Sequence, residues 1–210
     1  MASAPEPSHK AAAWLAQTIP PLLAAEGCRP DTCVVHTEVA CRAGRAIGVR
    51  VQPQAVIAEV HNPAAADWAR ARGRLHRTHG DGPIKGGHIV VIGEPGPARH
   101  GRWAGHLVAV VHGGPTPVIV DLTLPQANRP RKGISLTPGC FPLDPREVVP
   151  WLAGAHQAVF ELQGSIVAYR ALHRRDWRDS PDWATPVRAQ LADEDWRAHF
   201  AGYLPGDPTA

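Results

Sequence analysis

The chain predicts an α+β fold in which a helix that opens on a cysteine packs against an antiparallel β-sheet, with an extra helix at the C-terminus. Three observations lead there. Helix-prone stretches come first, at 11–25 and from Cys33 onward. The middle holds the clearest hairpin of the sequence, GHLVAVVH (105–112) and PVIVDL (117–122), two apolar β-runs joined at Gly113-Gly114. After the β-rich middle the chain returns to a helical pattern bearing tryptophans. Segregated helices and strands define α+β rather than alternating α/β.

The 210 residues suit one domain with appended segments and are enough to bury a core. A net charge of +3, with arginines scattered rather than striped, argues against a nucleic-acid partner. With 22 prolines and 20 glycines, long loops and short elements are expected. No run of about twenty apolar residues is present, so no membrane partner is expected. No basic segment followed by an apolar core opens the chain, so a cytoplasmic location with free thiols is expected for Cys28, Cys33, Cys41 and Cys140.

The elements follow in order. Residues 1–24 read as an N-terminal helical segment, frayed at first and interrupted by Pro20-Pro21, hence two short helices or one broken helix. A core runs over 25–173. Within it Asp31 or Thr32 caps a helix beginning near Cys33 and stopping at Gly48. On that helix Val35, Val39, Arg42 and Ala46 share one face, and Cys33, Thr37, Cys41 and Gly44 a neighbouring one. Val49–Val60 alternates as a strand, with Pro53 making it an edge or bent strand. A short helix around Ala64–Leu75, a Gly-rich loop, a strand in Ile84–Gly93 and a Pro/Gly loop over 93–104 precede the hairpin. Residues 126–144 read as loop, 145–158 as helix and 159–171 as one or two strands. Residues 174–210 form a Trp-bearing extension whose helix, about 185–203, packs back on the core.

Cys33, His106 and Asp121 supply a thiol, an imidazole and a carboxylate. The thiolate is the reactive form of cysteine, and a helix N-terminus favours it through its free N–H groups. The Cys33 N–H could also hold an oxyanion. His106 opens one strand of the hairpin and Asp121 closes the other, so a short turn brings them side by side despite a separation of 15 positions. His106 can then shuttle the proton while Asp121 orients the ring.

In these pieces the sequence resembles the transglutaminase-like superfamily, whose fold is papain-like. The matching segments are Cys33, then Ile47-Gly48-Val49-Arg50, then Gly105-His106-Leu107, then Asp121-Leu122-Thr123, within residues 25–126. The resemblance implies Cys33 as nucleophile, His106 as base and Asp121 as its orienting partner. It also implies acyl chemistry on a protein, peptide or small amide or thioester, with no cofactor. The turn lacks the family's proline, Leu107-Val108 stand where aromatics are usual, and the insert over 62–104 is long; these bear on substrate class more than on fold.

Other readings of the same residues stand beside this one. Cys33 can be a small core residue, and Cys28 the nucleophile or a resolving thiol. Cys41 and Cys140 read as packing. His106 can be an ordinary strand-start histidine and Asp121 a turn former. Gln126 and Asn128 can line a cleft or satisfy loop backbone. Cys33, His36, His76, His79 and His88 offer donors for a metal, but without a paired Cys-x-x-Cys or His-Glu-x-x-His pattern. A binding domain that keeps the fold and has no catalytic role is the main alternative to an enzyme.

Overall fold

The computed structural model describes residues 7–29, 32–94, 103–143, 158–173, 175–179 and Trp196. Helix α1 (Pro7–Ala25) is one continuous helix, not two pieces. Pro20 and Pro21 remove two ladder hydrogen bonds. The helix survives because Trp14, Leu15, Ile19 and Leu23, spaced along one face and on both sides of the prolines, are all buried in the same core. Of the segment assigned to 1–24, the part described, from residue 7 on, is thus packed into the main body. Helix α2 spans Cys33–Ala46. Thr32 takes the N-cap position without capping through its side chain; its hydroxyl donates instead to the Arg29 carbonyl at 2.7 Å. Gly48, at φ +77°, turns the chain out of α2 into the sheet, where a side chain would be strained.

Among the described residues the sheet has seven antiparallel strands: β1 (Arg50–His61), β2 (Ile89–Ile92), β3 (His106–His112), β4 (Val118–Asp121), β5 (Gly139–Pro142), β6 (Ala158–Leu162) and β7 (Ser165–Ala171). Their order is β5-β4-β3-β1-β7-β6, with β2 on β1 beside the start of β3. The long β1 therefore serves two neighbours on one side, β3 along 50–56 and β2 along 58–61, and β7 along 56–61 on the other. Pro53 sits in the half of β1 that has a single strand neighbour, where a missing N–H is tolerated. Helix α3 (Pro63–Arg72) follows β1 directly. It is capped by Asn62, which accepts from the Ala65 N–H at 3.0 Å, and ends on Gly73 in the left-handed region.

Alternation along the strands separates two cores. Val56, Ala58, Val60, Val108, Ile119, Phe141, Phe160, Val167 and Tyr169 face one side together. Phe141 on β5 meets Phe160 on β6 with ring centroids 5.1 Å apart and Tyr169 on β7 at 5.5 Å. The two ends of the strand order are thus drawn together and the sheet is nearly closed around this cluster. On the outer side α1 and α2 pack on Ala109, Val111, Val118 and Val120, while α3 packs with Val159, Ile166 and Ala168.

Strand β5 lies where the sequence reads as loop, and β2 is shorter than the stretch expected to be a strand. The helices expected over 145–158 and 185–203 fall almost wholly outside the described residues. Trp196 is described and buried, packed edge-on against Trp14 at 6.1 Å. Trp177 is buried as well. No helix among the described residues is long and apolar enough to cross a membrane.

Candidate active site

The hairpin register explains how a histidine and an aspartate far apart in sequence meet. Ala109 pairs with Val120 and Val111 with Val118. Continued one residue further, this register sets Val108 opposite Asp121, so His106 lies diagonally from Asp121 on the same face of the sheet, a separation that long side chains span. The His106 Nε2 and Asp121 Oδ2 lie 2.8 Å apart, and both side chains are fully buried. The other aspartate oxygen accepts from the Thr123 N–H at 3.1 Å, and the Tyr169 hydroxyl donates to Oδ2 at 3.0 Å. Three donors thus fix the carboxylate and leave the opposite edge of the ring facing away from it.

Cys33 comes near His106 from the outer layer. It heads α2 and packs with Val34, Ala55, Leu107 and Trp177 where the hairpin begins. The Thr37 hydroxyl one turn later donates to the Leu107 carbonyl at 3.1 Å, which ties α2 to β3. The sulfur lies 3.8 Å from the Gly105 carbonyl, the residue before His106. It is also close enough to the ring to act on its protonation. Burial disfavours a charged imidazole, but the Asp121 carboxylate and, after it, the Cys33 sulfur outweigh burial and raise the His106 pKa to about 10. The same burial, reinforced by Asp121, holds the Tyr169 phenol well above its ordinary value, so it remains a donor.

Gln126 completes the group. Its amide nitrogen lies 3.0 Å from His106 Nδ1, and it also reaches the Thr123 hydroxyl at 3.4 Å. The amide nitrogen can donate to a neutral ring, and after a flip the amide oxygen can accept from a protonated one. Gln126 is carried there by the short 3-10 turn Leu124–Ala127, which follows β4 directly. At the base of the His106 side chain, Gly93 has φ +85°, and a Cβ there would press on the Val56 carbonyl and on the His106 Cβ and backbone nitrogen. The β2 end therefore runs close against the His106 backbone and Cβ.

Of the residues singled out by sequence, Cys33, His106, Asp121 and Gln126 come together. Cys28 packs instead on the α1–α2 layer, as does Cys140. Cys41 and Cys140 have thiol pKa values raised to about 12, by burial in both and by nearby Glu38 at Cys41. All four cysteines are unbridged. Asn128 bonds the backbone of Leu136 in both directions, which is the loop role. His36 bonds back to the Thr32 carbonyl within its own helix at 2.9 Å. The insert holding His76, His79 and His88 is organised by Asp81, which accepts from Arg74 and from the Thr78 backbone. Among the described residues no group of three or more His, Cys, Asp or Glu is arranged to hold a metal ion. Most of the loop expected beside His106 lies outside the described residues, but its end, Trp103, packs on the Cys33 cluster.

Tyr169 was invisible to sequence reasoning. Alternation along β7 puts it on the face of Val167, but only the closure of the sheet brings that face to Asp121. Comparison of the chain with protein-family models, with curated proteins and with solved structures finds no match.

Proposed function

We propose that the protein is a cysteine-dependent acyl enzyme of transglutaminase-like type, acting on an amide or thioester in a peptide, protein or small molecule. The observation that carries this reading is the buried His106–Asp121 pair at 2.8 Å, with Cys33 at a helix start near enough to the imidazole to raise its pKa. A structural histidine needs no carboxylate held by a tyrosine, a backbone N–H and the ring together. A proton shuttle does, because the carboxylate must keep one ring orientation while the ring gains and loses charge.

In this reading the Cys33 thiolate attacks the carbonyl carbon and a C–S bond forms. The tetrahedral oxyanion is met by N–H groups of the first turn of α2, which have no acceptor within the helix, and by the Gln126 amide beside Nδ1. As the intermediate collapses, the scissile bond breaks and the leaving amine or thiol takes its proton from His106 Nδ1. Water or an acceptor amine then gives its proton to His106 and attacks the thioester, which releases the acyl product and restores the sulfur. Hydrolysis, deamidation and transfer differ only in which acceptor arrives.

The test is alkylation of the native protein by iodoacetamide across pH, with the modified cysteine assigned by peptide mass mapping. Cys33 is expected to react at pH 6.5 at least tenfold faster than in His106→Ala. Equal rates in the two proteins would reduce the site to a binding cleft or a packed core.

A further inference from the structure

We infer that the cleft beside Cys33 receives an acyl donor bearing a carboxylate, an inference that rests on Cys33 being the nucleophile. Strand β7 leaves β1 at Ala55, where the Leu172 N–H makes the last bond to the Ala55 carbonyl at 2.8 Å. From there the chain swings away into the turn at 176–179, and a cavity of about 460 Å³ opens along β1. That volume is of the size that holds a small molecule or a short stretch of peptide.

Two of its walls belong also to the thiol. Ala55 and Trp177 line the cavity and pack in the same buried cluster as Cys33, and Leu172 lies against both. Apart from Pro53, the rest of the lining is polar and carries one sign of charge: Gln52 and Gln54 from β1, then His173, Arg175 and Arg178. Asp176 and Asp179, in the same turn as Arg178, are not part of the lining. Arg178 lies over the Trp177 ring, 5.1 Å from its centroid, so one guanidinium rests on the indole that covers the thiol. Gln54 spends its amide N–H groups on the Ala55 and Leu172 carbonyls, at 2.8 and 3.0 Å, which holds the cleft open at its inner end. Two arginines, each a planar fork matched to a carboxylate, face a cleft that contains no lining acid. Cys33 itself is only 6% exposed, so a substrate reaches it through a narrow opening rather than across a flat surface. A negative group on the donor would be gathered by this cleft next to the reacting sulfur.

The experiment compares two alkylating agents of nearly equal size on the full chain, iodoacetate and iodoacetamide, with rates at Cys33 read by mass mapping. The ratio of the iodoacetate to the iodoacetamide rate is expected to exceed that of free cysteine. It is expected to fall at least threefold in Arg175→Ala/Arg178→Ala, and to fall toward the free-cysteine value as ionic strength rises in the unmutated protein. The salt series needs no variant and so stands even if the double substitution disturbs folding. A ratio equal to that of free cysteine at low salt, or one unmoved by both salt and substitution, overturns the inference while leaving Cys33 reactive. If neither reagent labels Cys33 faster than Cys41, the nucleophile reading itself falls, and this inference with it.

Discussion

At the scale of single residues, the site is a buried carboxylate with three donors, one of them a ring that also feels a nearby sulfur. Replacing Asp121 with Asn keeps the shape but removes the charge that holds His106 protonated. Cys33 alkylation at pH 6.5 is expected to slow by about 10²-fold or more, by analogy with triads that lose their carboxylate. Tyr169→Phe leaves Asp121 with one donor fewer in a dry site. It is expected to cost about 1–2 kcal/mol in urea unfolding while Cys33 still labels. A tyrosine that merely fills space would show no such loss. Cys33, His106 and Asp121 were legible in the sequence because each sits at an element boundary: Cys33 after a cap signal, His106 and Asp121 at the two open ends of a hairpin. Gln126 was only half legible, since a glutamine in a polar loop has many ordinary uses. Tyr169 was not legible at all, because its contact with Asp121 depends on how far the sheet curls, which no local pattern encodes.

At the scale of elements, α2 is what delivers the sulfur, and its seat on the sheet is tight. A Cβ on Gly44 would run into the Val51 side chain and stand 3.0 Å from the Val49 carbonyl. Gly44→Ala would gain helix propensity in isolation. Here it is expected instead to destabilise by about 1–3 kcal/mol through overpacking, as read by urea midpoints. If the variant proved more stable than the parent, α2 could not sit as close to β1 as described. The same logic shows why some elements escaped sequence reading. Pro20-Pro21 punctuates a helix on paper, yet burial on both sides of the pair keeps α1 whole. Strand β5, with sequence GCFP, is short and ends in proline; it is a strand only because β4 offers it an edge and Phe141 finds the aromatics across the sheet. By contrast β3, β4 and α2 were readable because their apolar periodicities are unbroken.

At the scale of the whole molecule, burying an ion pair inside a nearly closed sheet couples folding to pH. The His106 pKa is about 10 in the folded protein against an ordinary 6.5, raised chiefly by Asp121 against the pull of burial. Below pH 6.5 both folded and unfolded chains carry the proton, and the contribution of the pair is complete. Between 6.5 and 10 the folded protein keeps a proton that the unfolded chain has released, so stability declines as pH rises, and above about 10 the contribution is gone. The sulfur also contributes to the raised His106 pKa, so the measurement is made in Cys33→Ala to isolate the effect of Asp121. Its unfolding free energy from urea titrations is expected to fall between pH 7 and 9 with a slope approaching ~1.4 kcal/mol per pH unit, the ceiling for one proton. Adding Asp121→Asn should lower stability at pH 7 and flatten that slope, since nothing then holds the ring charged. Parallel slopes in the two proteins would mean that His106 is neutral at pH 7, and the thiolate–imidazolium pair on which the acyl chemistry depends would have no basis.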